Sequence, residues 1–143
     1  MFRRRNPRIQ QQQLSYVDVL DVIGAIMNDT ESSYDNMTAD QLTSSALGTL
    51  MLRRIDLTDI YFRAPEADES YRQEIQEAVD FVDENTNIIR RFRNIIRQRG
   101  RGLTVRDLRE IYGEQERQRE EAAAAKKAEE EAAAAKKAEE ERR

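Results

Sequence analysis

Tyr71, Ile75, Ala78, Val82, Asn85, Ile89, Phe92 and Ile96 recur in alternating steps of four and three. That spacing lays one continuous stripe along an α-helix and asks for another helix to cover it. It predicts a long amphipathic helix over about 70–99, near 45 Å at about 1.5 Å per residue. Phe81, Ile88 and Ile95 repeat every seven residues beside the seam, which broadens the stripe beyond a two-position coiled coil and suits a helical bundle. Asn85 is a polar seam position, expected either to set register or to face solvent at a kink.

The same helix is polarised along its length. Glu74, Glu77, Asp80, Asp83 and Glu84 occupy its first half, whereas Arg90, Arg91, Arg93, Arg97 and Arg99 occupy its second. Two copies laid antiparallel therefore place each acidic half against a basic one. Exposed pairs contribute up to about 1 kcal/mol each, so charge selects the orientation while apolar burial supplies the affinity. The stripe can equally pack inside its own chain against residues 15–27 and 42–62, and its width lets it serve both.

Around this helix the chain reads as further helix. Gly and Pro number only 5 and 2 in 143 residues, which favours helices over sheet. Tyr16, Val19, Leu20, Ile23, Ile26 and Met27 share a helical face behind a capping-box signature, Ser15 with Asp18. The β-branched Val17, Val19 and Val22 make a strand the second choice there. Thr38 with Gln41 marks the next start, followed by Leu42, Ala46, Leu47, Leu50 and Met51, and Pro65 marks its end. Residues 57–62 read either as the last turns of this helix or as a short separate one. Gly100 and Gly102 stop the long helix, and Thr104 with Asp107 gives the best-specified start, with Leu103 placed to staple onto Leu108. That helix runs at least to Tyr112. Beyond Gly113, the ten residues from Glu121 to Glu130 repeat unchanged as Glu131 to Glu140. A period of ten turns successive copies by about 80°, so no face persists and a solvated single helix of about 45 Å is expected, not a coiled coil.

A net charge of −4 conceals four electrostatic segments. Residues 1–13 hold four Arg and no acid, 14–85 hold sixteen acids and four Arg, 86–109 hold eight Arg and Asp107, and 110–143 are mixed. The chain lacks both Cys and His, which removes disulfides, thiol chemistry, zinc knuckles and the commonest general base. Carboxylate pairs remain: Asp18 with Asp21, Asp56 with Asp59, and Asp80 with Asp83 or Glu84. Acids three apart on an amphipathic helix are most often a solvated face, and no glycine loop resembles a phosphate or calcium site.

The resulting expectation is an all-α small bundle of three to four helices, divided into a flexible basic arm over 1–13, a helical domain over 14–113 and a low-complexity helical tail over 114–143. Its expected role is that of a non-enzymatic structural or scaffolding protein without cofactor, metal or small-molecule substrate. It self-associates or joins a larger assembly through Tyr71, Ile75, Val82, Asn85, Ile89, Phe92 and Ile96. The alternative is nucleic-acid binding through Arg3, Arg4, Arg5, Arg8, Arg90, Arg91, Arg97, Arg99 and Arg101, with Arg93, Arg106 and Arg109 in the same basic band. No stretch approaches the ~20 apolar residues of a membrane span, and the N-terminus lacks the apolar run of a secretory signal. An intracellular setting, cytoplasmic or virion-associated, is expected; the viral analogy rests on composition alone.

Overall fold

The computed structural model describes residues 14–143, and the expected basic arm with Arg3, Arg4, Arg5 and Arg8 lies outside them. Among the described residues four helices follow one another: α1 (Tyr16–Met27), α2 (Ala39–Arg63), α3 (Glu69–Arg99) and α4 (Val105–Arg142). The all-α bundle expected from the seam is what the chain forms.

Local signals start three of them. Ser15 accepts from the Asp18 amide at 3.1 Å while Asp18 accepts from the Ser15 amide, and Thr104 with Asp107 repeats the arrangement at 3.2 and 3.1 Å. Each box satisfies two backbone donors that the first helical turn otherwise leaves unpaired. Asp68 caps α3 through the Tyr71 amide at 3.1 Å. The Thr38–Gln41 signature behaves differently: Thr38 is the N-cap of α2, but its side chain makes no capping bond. A tertiary partner replaces it. The Ala39 amide donates to the Leu103 carbonyl and the Val105 amide to the Met37 carbonyl, at 2.9 and 3.0 Å, across a single antiparallel bridge between Thr38 and Thr104. The starts of α2 and α4 are thereby tied together.

Residues 57–62 are the last turns of α2. Its C-cap, Ala64, donates its amide to the Ile60 and Tyr61 carbonyls, and Pro65 then turns the chain. α3 folds back antiparallel, since Asp40 meets Arg93, Arg54 meets Asp83 and Tyr61 meets Arg72 in descending order. Gly100 ends it at φ 125°, ψ 149°, a backbone region open to glycine almost alone.

α1 and α4 cover only the base of this hairpin. Val19, Val22, Ile23 and Ile26 of α1 join Leu42, Ala46 and Leu50 of α2, Val82, Ile89, Phe92 and Ile96 of α3, and Val105, Leu108 and Tyr112 of α4 in one core. Phe92 is fully buried and meets the Tyr112 ring edge-on at 5.2 Å. No residue of α2 beyond Leu50 is buried, so the turn end of the hairpin projects past the bundle.

α4 crosses Gly113 without a break and extends 38 residues, about 57 Å. Its last buried residue is Tyr112; the remainder is a solvated rod on which Arg143 pairs with Glu139 at 3.5 Å. Among the described residues none of the repeat positions is buried, in keeping with their drifting face.

Candidate functional site

The expected interface residues lie mostly inside the chain. Ile75, Val82, Asn85, Ile89, Phe92 and Ile96 are buried against the chain's own helices, while Tyr71 at the hairpin's turn end is 43% exposed. The difference has a simple cause: coverage fades toward the turn. Phe81, Ile88 and Ile95 show the same gradient, from exposed through half-buried to buried. Asn85 sets no register with a neighbour through its amide, which donates to the Phe81 carbonyl of its own helix at 2.9 Å.

What the fold leaves open is a second stripe, on α2. Met51, Ile55 and Phe62 are 54, 62 and 77% exposed. With Gly48 and the half-buried Thr58 they recur at steps of three and four, so they share one face. This stripe is distinct from the buried one formed by Leu42, Ala46 and Leu50. Beside it runs a groove of about 500 Å³, with Met51 and Ile55 on one wall and Asp83, Asn87 and Arg90 on the other. Arg54 bridges its floor to Asp83 at 2.7 Å, and the bond raises the Arg54 pKa above its ordinary value.

The basic band divides by partner. Arg91 pairs with Glu116 and stands 5.2 Å over the Tyr112 ring. Arg93 donates to the Asp40 carbonyl and the Thr43 hydroxyl at 3.1 and 3.0 Å, fastening α3 to the start of α2. Arg109 is buried, donating to Asp35 and, through Nε at 2.7 Å, to the Ala25 carbonyl. These three hold the fold. Arg90, Arg97, Arg99, Arg101 and Arg106 are exposed, Arg106 also reaching the Asp35 carboxylate at 3.9 Å, and the last four gather around the α3–α4 turn.

Asp35 is the fold's buried carboxylate. The Arg109 hydrogen bond holds its pKa below the ordinary value against the opposing cost of burial, with Ser32 adding two further donors at 3.1 and 3.2 Å. Arg109 thereby clamps the 28–38 loop to both α1 and α4.

Among the described residues, no group of three or more acids lies close enough to hold a metal ion. No described helix is long and apolar enough to cross a membrane. No protein-family model matches the chain, and neither a curated protein nor a solved structure matches it.

The α2 stripe was not singled out from sequence. Its signal is present in the spacing of Met51, Ile55 and Phe62, but Met51 adjoins the buried Leu50 and lies one turn from the half-buried Leu47, so the spacing alone assigns it to the core face.

Proposed function

We propose that this chain is a non-enzymatic assembly protein that associates with copies of itself by helix packing. The observation that supports the reading is the projecting α2–α3 hairpin, which carries Met51, Ile55 and Phe62 in one exposed row. Large apolar side chains aligned on one face lose unfavourable contact with water when a partner covers them. The solvated α4 rod would then extend from such an assembly as a spacer. These parts suit a scaffold, cellular or virion-associated, that recognises protein surfaces instead of a small-molecule substrate.

Light scattering across concentration and salt tests the reading. The expected mass exceeds the 16.7 kDa of one chain and persists at high salt, because burial supplies the affinity. A chain that stays at one-chain mass at every concentration contradicts it.

The gathering of Arg97, Arg99, Arg101 and Arg106 at one end of the bundle favours a second reading, phosphate-backbone binding. It requires affinity for DNA or RNA that falls steeply as salt rises, since each neutralised phosphate releases counterions.

A further inference from the structure

We infer that the outer face of the α2–α3 hairpin is a two-fold interface, and that its occupant is the same face of a second copy laid antiparallel. The inference rests on the self-association proposed above and assigns it a surface and an orientation. Two independent patterns on this face lead to the same axis.

The first is apolar. Antiparallel pairing of α2 with its copy about the midpoint between Ile55 and Thr58 sets Met51 against the partner's Phe62 and Ile55 against the partner's Thr58. The long thioether then meets an aromatic ring, a favourable contact, and the branched Ile55 meets the shorter Thr58. Gly48 continues the row toward the base with no side chain in the way.

The second is polar and lies on α3. Glu69, Gln76, Asp83 and Arg90 recur every seven residues, so they share one side of the helix. Reversal about the midpoint between Gln76 and Asp83 sets Glu69 against the partner's Arg90 and Gln76 against the partner's Asp83. Opposite charges meet at the ends, and an amide meets a carboxylate in between. Parallel pairing sets like against like.

The two midpoints lie at the same height in the hairpin. Arg54 bonds Asp83, and Arg72 stacks over Tyr61 at 4.4 Å, so the level between residues 56 and 57 of α2 faces roughly residues 77–80 of α3, counting along helices of 1.5 Å rise. One two-fold axis therefore satisfies both rows, as a self-complementary interface requires. Reversal about this axis overlaps residues 50–63 of α2 and 69–90 of α3 with their copies, about 21 and 33 Å of helix each about 10 Å wide, giving roughly 550 Å² per copy, the size of a weak or transient interface.

Sedimentation equilibrium of the full chain tests this. The wild type is expected to reach twice the 16.7 kDa chain mass, and Ile55→Glu/Phe62→Glu is expected to return it to one chain. Both side chains are exposed, so in solutions dilute enough for the wild type to be a single chain the two melting temperatures should agree. Glu69→Arg is expected to weaken the dimer about tenfold, because two like-charged contacts appear; adding Arg90→Glu is expected to restore it. A multimer indifferent to Ile55 and Phe62 overturns this surface and leaves self-association standing, whereas a wild-type monomer overturns both. A double reversal that fails to restore the dimer overturns the antiparallel arrangement.

Discussion

Phe92→Ala is expected to lower the stability of the folded chain by about 3–5 kcal/mol. Phe92 has no solvent exposure, lies where α3 meets α4, and touches the Tyr112 ring edge-on. Truncation removes the transfer energy of the ring, leaves a cavity between helices that cannot fully collapse, and deprives Tyr112 of its aromatic partner. A domain of this size is stable by only about 5–15 kcal/mol in total, so the loss is a large share. The melting temperature should fall by more than about 12 °C. Unfolding is best followed through the near-ultraviolet signal of the tyrosines, because the solvated tail contributes helical signal without belonging to the core. A shift of a degree or two contradicts the placement of Phe92 at the centre of the bundle.

Arg109→Met is expected to destabilise the chain to a comparable degree, through charge instead of volume. Arg109 supplies the cation for the buried Asp35 and the donor for the Ala25 carbonyl. Its loss leaves a carboxylate that is only 5% exposed with the half-exposed Arg106 at 3.9 Å as its remaining cation, and a buried charge robbed of its close partner costs more than the intact pair contributes. Adding Asp35→Asn removes the stranded charge while keeping an acceptor for Ser32, so the double variant should melt above the single one. The pair also fixes a pH dependence. Because the folded-state pKa of Asp35 lies below its ordinary value of 3.8, its contribution is fully present above that value and is lost as pH falls toward the folded pKa. Denaturant titrations at pH 7 and pH 3 should show this loss in the wild type and not in the double variant. A single variant as stable as the wild type contradicts the clamp.

These residues also mark how far the sequence could be read. The capping boxes at Ser15 and Thr104 were legible because donor and acceptor lie three residues apart, and the α3 seam because burial follows a local period. Roles set by distant partners were not. Arg93 and Arg109 looked like members of a phosphate-binding band, yet their partners lie 50 to 84 positions away. Thr38 looked like a side-chain cap, yet the Leu103 carbonyl serves the Ala39 amide in its place. The same limit applied to the candidate interface. Periodicity identified an apolar stripe on α3 without saying whether the chain's own helices or another chain would cover it. The structure assigns most of that stripe to the core, so charges at Ile89 and Ile96 strike the fold itself, and the face left open is on α2.

Thiol labelling measures that division directly, since the chain has no cysteine of its own. Single Ile55→Cys and Ile89→Cys variants would each be exposed to an excess of thiol reagent, first dilute and then concentrated. In the dilute chain, the cysteine at 55 should react quickly and that at 89 only as fast as the bundle opens; on concentration, only the reaction at 55 should slow. Equal rates at the two positions in dilute solution, or protection that grows with concentration at 89 and not at 55, would contradict the assignment of the α3 seam to the core and the α2 face to the partner.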